Sequence, residues 1–406
     1  MTKAGDAPLL HGRNEQLQAL RGVAACMVAF GHSFTMLVNG RLESPHFHLA
    51  SSNAFLAFAQ LLFQPNTSVI FFYVLSGLVL GESLRADSKV PWLPRLLAFA
   101  VKRITRIVPA MWVSIVFAWL VIDRLHGATF QGATPWFNAF FATPVSVSQM
   151  GRNFLGFGEQ INSVLWSVQI ELAIIPFLPI AVLLISRVQV WADVLVFTCF
   201  AWLSLRFWGQ AWNVLLYFYC FYLGLMLPKL MCSKFAAILR NGFVTIAGLA
   251  LLFPIDFFYS RGELWMPMKF IGNALISGQL LAFVILRRDH VASRVLGRRW
   301  LVWIGDISYS LYAYAMTVLL VVGYFAITMA SADAAPDNQL ATLLSCATAL
   351  ICLALTLLMA HYSYKWIEHP GAALGRSVAA RIQHIFANRN SRPAMIYESV
   401  QVDVKS

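Results

Sequence analysis

The fold is decided by stretches such as residues 341–364, which read ATLLSCATALICLALTLLMAHYSY and contain no Asp, Glu, Lys or Arg. About 20 mostly apolar residues make a helix long enough to cross the hydrocarbon layer of a bilayer. The ten predicted spans are residues 17–38, 61–80, 107–122, 161–186, 190–206, 211–227, 242–258, 268–286, 303–328 and 341–364. Residues 134–145 are apolar but shorter, and they predict an interfacial or re-entrant segment.

The composition agrees with these spans. The 406 residues are 59% hydrophobic and only 12% charged, with a mean hydropathy of +0.68. Soluble domains carry roughly 25% charged residues, so most of this surface must face lipid. We therefore predict an all-α, polytopic integral membrane bundle of about ten transmembrane helices. The formal charge of +12 does not indicate a nucleic-acid partner, because the basic residues lie between apolar runs. The six cysteines have no metal-ligand spacing, so no metal is expected.

The basic residues also predict an orientation. If the N-terminus is cytoplasmic, all but six of the 30 Lys and Arg residues lie inside, which satisfies the positive-inside rule. The six outside are Arg41, Arg124, Arg152, Arg206, Arg261 and Lys269. Both termini are thus predicted to be cytoplasmic. The first 16 residues are polar, so we expect no cleavable signal peptide. We expect one membrane domain over residues 1–386 and a polar, disordered tail over residues 387–406.

Arg21 and His32 are ionisable residues inside the first predicted span. They are eleven residues apart, so on a helix they share one face at a separation of roughly 16 Å. Ionisable groups at membrane depth are candidate functional residues, and imidazole is suited to general-base catalysis near neutral pH. The structural alternative is a histidine bonded to a neighbouring helix and an arginine that reaches the head groups.

Arg103 and Arg106 are spaced i,i+3 just before Pro109. Side chains with this spacing share a helix face, so the two guanidinium groups could converge on one anion that enters from the cytoplasm. The alternative is ordinary anchoring of a span by basic residues, which accounts well for Lys102.

Glu171 is a carboxylate inside the fourth predicted span. Rise per residue places it roughly 9–15 Å inward from the outer side, at a depth similar to that expected for His32. It could therefore orient the imidazole, stabilise its protonated form or itself transfer a proton. The alternative is a structural ion pair with an arginine.

Several motifs resemble the acyltransferase-3 family, membrane-bound O-acyltransferases whose bacterial members mostly modify cell-surface glycans. The resemblance runs over nearly the whole chain. The matching segments are Leu20-Arg21-Gly22 with His32, residues 71–77 (FFYVLSG), residues 103–109 (RITRIVP), residues 166–171 (WSVQIE), residues 304–312 (IGDISYSLY) and residues 362–370 (YSYKWIEHP).

The resemblance implies that acetyl-CoA, or a related acyl-CoA, is the donor and that a glycan or lipid-linked saccharide is the acceptor. His32 would be the essential catalytic histidine and Arg21 part of the same motif. Arg103 and Arg106 would hold the anionic CoA end, and Glu171 matches a family carboxylate position. The expected location is the bacterial inner membrane, with polysaccharide-assembly proteins as possible partners.

The chain departs from the family pattern at two positions. Many relatives have a histidine three residues after the Ser-Tyr-x-Leu-Tyr motif, where this chain has Ala315, and Leu172 follows Glu171 where a second acidic or amide residue is common. The alternative hypothesis is a transporter or flippase, in which Arg21, His32 and Glu171 line a proton or substrate path. The lack of inverted repeats argues against that alternative.

Overall fold

The computed structural model describes residues 14–36, 54–86, 90–130, 133–158, 160–209, 213–257, 265–330 and 338–390. Within these ranges the protein is helical and has no β-strand. The helices of the first half are α1 (Glu15–Phe34), α2 (Ala54–Leu62), α3 (Pro65–Ala86), α4 (Trp92–Leu125), α5 (Pro135–Ala139), α6 (Val147–Phe154), α7 (Trp166–Ala173), α8 (Leu178–Arg187) and α9 (Val190–Arg206).

The second half continues in the same way. Its helices are α10 (Asn213–Met231), α11 (Ala236–Leu239), α12 (Gly242–Phe257), α13 (Trp265–Leu286), α14 (Val291–Leu296), α15 (Arg299–Asp306), α16 (Ser308–Ala330), α17 (Asn338–Ser363) and α18 (His369–Asn390). A π-helical turn, Tyr364–Glu368, joins α17 to α18. Since α18 runs to Asn390, the first residues of the predicted polar tail are helical, and residues 391–406 lie outside the described part of the chain.

In the described residues, six helices are long and apolar enough to cross a membrane. They are Phe58–Arg85, Trp92–Leu125, Val214–Met231, Met266–Leu286, Ser308–Met329 and Thr342–Phe386. The pair α7 and α8 adds a seventh if the two are counted as one span. Helices α1, α9 and α12 occupy the three remaining predicted spans, but the number of ten crossings stays a prediction.

The fourth predicted span is broken. Helices α7 and α8 meet at an angle of 53°, with turns over residues 174–177 between them. Pro176 lies in this break and Pro179 lies in the first turn of α8. Proline has no N–H to donate and clashes with the preceding helical turn, so it kinks or breaks a helix, and α7 ends before Pro176. Glu171, near the end of α7, lies beside Ser76 of α3.

Glycines allow α3 and α10 to lie in backbone contact. An ideal Cβ atom on Gly77 would lie 2.1 Å from the carbonyl oxygen of Phe221, and one on Gly224 would lie 2.0 Å from that of Val74. No side chain fits at such distances, so both positions need glycine. Gly77, at the end of the motif at residues 71–77, therefore serves close helix packing.

Helix α18 packs along α4 at a defined register. Pro109 lies inside α4, and a proline at that position cannot donate to the carbonyl of Thr105, four residues earlier. Gly371 packs against that same carbonyl, since an ideal Cβ on Gly371 would lie 2.3 Å from the Thr105 oxygen. Gly375, one turn later, packs against Lys102 and Thr105. The two helices run in opposite directions and bring Glu368 next to Arg106.

The predicted segment at residues 134–145 contains the short helix α5. Thr134 is tied to the end of α1, because its backbone N–H donates to the Met36 oxygen (2.9 Å) and its hydroxyl to the Thr35 oxygen (3.0 Å). Phe137 and Phe141 are fully buried. The segment therefore covers one end of α1, and its placement relative to the membrane stays a prediction.

Candidate active site

A cavity lies where α1, α3, α7 and α16 meet. Its lining residues are Arg21, Val69, Phe72, Tyr73, Ser76, Ser167, Val168, Glu171, Ser308, Tyr309 and Tyr312. We call it the first cavity. It combines three tyrosine rings with two ionisable side chains. Such a mixture of apolar walls and a few polar groups is typical of a small-molecule site.

Glu171 is held on two sides at the first cavity. The Ser76 hydroxyl donates to its Oε1 atom at 2.6 Å, and the Arg103 guanidinium forms an ion pair with the same oxygen. Glu171 and Arg103 are mostly buried, with 18% and 12% of their side chains exposed. The described contacts of Glu171 are with Ser76 of α3 and Arg103 of α4, and none is with His32. The similar depth expected for Glu171 and His32 stays a prediction.

Arg106 has a different carboxylate. Its Nε and Nη2 atoms donate to Glu368 Oε1 at 2.8 and 2.7 Å. The other carboxylate oxygen, Oε2, accepts from the Ser310 hydroxyl at 3.1 Å. Glu368 is only 1% exposed and ends the π-helical turn. Turns of this kind are frequent at functional sites. Arg103 and Arg106 thus bind separate carboxylates, Glu171 and Glu368, and they do not converge on one anion as the spacing had suggested.

Arg21 lacks such a partner. Its half-buried side chain lines the first cavity and makes no hydrogen bond or ion pair with any residue in the described part of the chain. The charges that act on it are those of Arg103, Arg106, Glu171 and Glu368. Three guanidinium groups therefore share two carboxylates. A partly buried cation without a partner is costly, so this arrangement favours an anionic or strongly polar ligand in the first cavity.

A second cavity lies about one helical turn along α1 from the first. Its lining residues are Gln18, Arg106, Asp306, Tyr364, Glu368, His369, Ala372 and Arg376. Gln18 is one helical turn from Arg21 on α1, and Asp306 closely precedes Tyr309. The two cavities are thus neighbours along α1 and across the junction of α15 and α16, and the Arg106–Glu368 pair lies in the wall of the second. His369 and Arg376 are exposed there.

His32 lies farther along α1 and is not among the residues that line the first cavity. Its Nδ1–H donates to the Val28 oxygen at 2.8 Å, which leaves Nε2 with the lone pair. Its ring stacks on Trp136 of α5, with centroids 5.8 Å apart and planes 28° apart. Pro65 packs against Gly31, and Val69 is four residues later on α3. The first cavity therefore ends about one helical turn, ~6 Å, from the level of His32.

The structure thus brings Arg21, Arg103, Arg106 and Glu171 together and leaves His32 apart, at the far end of the same face of α1. Glu368, Ser76 and Trp136 are not among the site residues predicted from the sequence. Ser76 lies in the motif at residues 71–77 and Glu368 in the motif at residues 362–370. A hydroxyl and a carboxylate at membrane depth could therefore have pointed to both. For Trp136 the sequence offers no signal beyond its place in the predicted segment at residues 134–145.

Ala315, where many relatives have histidine, lies in an apolar cluster. Its neighbours there include Ala25, Leu311 and Ala360, all buried. Among the described residues no group of three or more His, Cys, Asp or Glu side chains could hold a metal ion.

Residues 14–369 match the family model described as an acyltransferase domain, which covers all of the residues that form both cavities except Arg376 and Ala372. No curated protein and no solved structure matches the chain.

Proposed function

The chain belongs to the acyltransferase-3 family, and on that premise we propose that it transfers an acetyl group from cytoplasmic acetyl-CoA to a hydroxyl of a cell-surface or exported glycan. The family indicates a multi-pass membrane acyltransferase. The donor, the acceptor, the bacterial inner membrane, the ten spans and the cytoplasmic termini are parts of the proposal.

The observation that carries the proposal is Arg21, which has no partner among the described residues and lines the first cavity, with the second cavity beside it. Acetyl-CoA has phosphate anions at one end and a thioester at the end of a long, thin arm. In the proposal the phosphates lie at the basic side chains of the second cavity, and the arm passes Arg21 toward His32. The roughly 16 Å between Arg21 and His32 along α1 suits an arm of that length.

Arg103 and Arg106 then have a role that differs from a simple anion clamp. Each already has a carboxylate partner, so an entering phosphate or thioester competes with Glu171 and Glu368 for them. The carboxylates keep the buried arginines compensated when no donor is bound. The donor would gain charge-assisted hydrogen bonds only by displacing them, which makes binding selective for strong anions.

His32 supplies the chemistry in this proposal. Its Nε2 takes the proton of the acceptor hydroxyl as the oxygen attacks the thioester carbonyl. The new C–O bond forms, the C–S bond breaks, and the imidazolium returns the proton to the leaving thiolate. In the covalent variant, Nε2 attacks the thioester carbonyl, the C–S bond breaks and the CoA thiolate leaves. The acceptor hydroxyl then takes the acetyl group from Nε2, the C–N bond breaks, and the hydroxyl proton goes to the released thiolate. Both variants need the free Nε2 lone pair.

The test uses membranes that contain the protein, incubated with acetyl-CoA labelled in the acetyl group. We expect alkali-labile label on the exported glycan, and none with His32→Ala at equal protein level. A transporter or a scaffold would give no label in either case, and normal labelling by the His32→Ala protein would refute the assigned role. The alternative of a transporter has no structural observation in its favour here.

A further inference from the structure

Trp136 is the one aromatic side chain that the described residues place on the His32 ring. Its indole lies over the imidazole with nearly parallel planes, and Phe140 packs edge-on against it at 5.4 Å between centroids. The imidazole edge is fixed independently, because Nδ1–H donates to the Val28 oxygen. One face and one nitrogen of His32 are therefore both occupied, and Nε2 is left to point elsewhere.

Hydrogen bonds hold the segment that carries Trp136 against the end of α1. Thr134 joins α5 to the end of α1 through two hydrogen bonds, and the Thr35 hydroxyl donates to the His32 oxygen at 2.9 Å. Asn138 bonds Phe130 twice, accepting from its N–H at 2.9 Å and donating to its oxygen at 3.1 Å. The indole therefore has a fixed position relative to the last turn of α1.

We propose that Trp136 is a positioning residue for the acyl transfer, which holds the His32 ring so that Nε2 faces the end of the first cavity. The proposal rests on the proposed function for its kinetic consequence. The indole also covers one face of the ring against water, and its π face stabilises an imidazolium formed during proton transfer. A residue that acts through His32 affects the chemical step rather than donor binding.

The kinetic test compares Trp136→Leu with Trp136→Phe in purified, monodisperse protein. We expect Trp136→Leu to lower kcat about 10- to 100-fold, since a misplacement of about 1 Å costs on this order, with the KM for acetyl-CoA unchanged within about twofold. Trp136→Phe keeps an aromatic face and should retain most of kcat. Thr134→Val, which removes the hydroxyl bond to α1, should give a smaller loss of the same kind.

A matched control is Trp112, which donates to the Phe154 oxygen and does not contact His32. Trp112→Leu should leave both constants unchanged when activity is expressed per folded protein. The proposal is overturned if Trp136→Leu folds and keeps kcat, or if it raises the KM for acetyl-CoA as much as it lowers kcat. A kcat of Trp136→Phe no higher than that of Trp136→Leu would overturn it as well.

A second readout separates this proposal from the proposed function. Diethyl pyrocarbonate acylates neutral imidazole nitrogens, and mass spectrometry measures the modification of His32 without any transfer activity. We expect His32 to react several-fold faster in Trp136→Leu than in the protein without substitutions or in Trp136→Phe. If the protein without substitutions labels no glycan, the proposed function fails, but the comparison of the three reaction rates still tests Trp136. Equal rates in all three proteins would refute the positioning role.

Discussion

Arg106 donates two hydrogen bonds to a single oxygen of Glu368, a residue 262 positions later in the chain. The pair joins α4 to the π-helical turn before α18, and it forms part of the wall of the second cavity. Ser310 of α16 holds the other carboxylate oxygen. Three helices that are far apart in the sequence therefore meet at one buried carboxylate.

Removal of Glu368 should destabilise the fold. Glu368→Ala leaves the Arg106 guanidinium without its partner, and loss of one member of a buried pair costs several kcal/mol. Because Arg106 is 28% exposed, we expect about 2–3 kcal/mol, seen as a lower midpoint of thermal unfolding in detergent. Ser310→Ala should cost only about 1 kcal/mol.

The double variant Arg106→Met/Glu368→Leu provides the matched control for the pair. Replacement of both charges by apolar side chains should recover most of the lost stability but not the activity, because the second cavity loses a cation. Equal instability of the double and single variants would contradict this account of the pair.

Arg21 should be the side chain whose loss most directly weakens donor binding. A charged hydrogen bond contributes about 1.5–3 kcal/mol, so Arg21→Ala should raise the KM for acetyl-CoA about 10- to 100-fold. Little stability should be lost, since Arg21 has no partner among the described residues that its removal would leave unpaired. Arg187→Ala removes an exposed arginine at the end of α8 and should change neither quantity. An unchanged KM in Arg21→Ala would contradict the donor path.

Glu171→Gln distinguishes two roles for this carboxylate. If Glu171 competes with the donor for Arg103, the neutral side chain should lower the KM for acetyl-CoA several-fold while it decreases stability. If Glu171 instead transferred a proton, kcat would fall by about 10²–10⁴-fold at constant KM. Steady-state kinetics over a range of donor concentrations separates these outcomes. Ser76→Ala, which removes only the 2.6 Å hydrogen bond, should shift KM in the same direction to a smaller extent.

The close contact of α3 and α10 predicts that alanine at Gly224 is destabilising, whereas Gly248 on α12 has room for a methyl group. Gly224→Ala would place a methyl group 2.0 Å from the Val74 oxygen and should lower the free energy of unfolding by about 1–3 kcal/mol. Gly248→Ala meets only side-chain atoms of Ile276 at 3.5 and 3.6 Å. Since alanine is favoured over glycine inside a helix by roughly 0.5–1 kcal/mol, Gly248→Ala should be neutral or stabilising. Thermal unfolding of both proteins checks the sign.

Much of the helical architecture could be predicted from apolar runs such as residues 341–364, because lipid-facing helices must be apolar throughout. The break between α7 and α8 was missed, although Pro176 signals it, because the surrounding residues are as apolar as those of an unbroken span. One proline hardly changes the mean hydropathy of a span, but its missing N–H group can break the helix.

The sequence could identify individual site residues but not which of them contact one another. Charge is rare in apolar runs, which is why four residues stand out, and the structure places them close together: Arg21, Arg103, Arg106 and Glu171. Spacing along one helix could not show that Arg103 and Arg106 have separate partners, because Glu171 and Glu368 are 68 and 262 residues away. Rise along the helix could place Glu171 only at a depth similar to that of His32, and it could not show that the partners of Glu171 are Ser76 and Arg103.

The contact of Gly371 with the Thr105 carbonyl has a consequence for the order in which the protein matures. Helix α4 emerges from the ribosome early, yet one of its carbonyls and the charge of Arg106 find their counterparts only when residues 368–375 have been made. A ribosome-bound chain that stops before this point holds all of α4 but lacks one wall of the second cavity. Truncated nascent chains should therefore insert into membranes without gaining activity, and the final helix completes the enzyme.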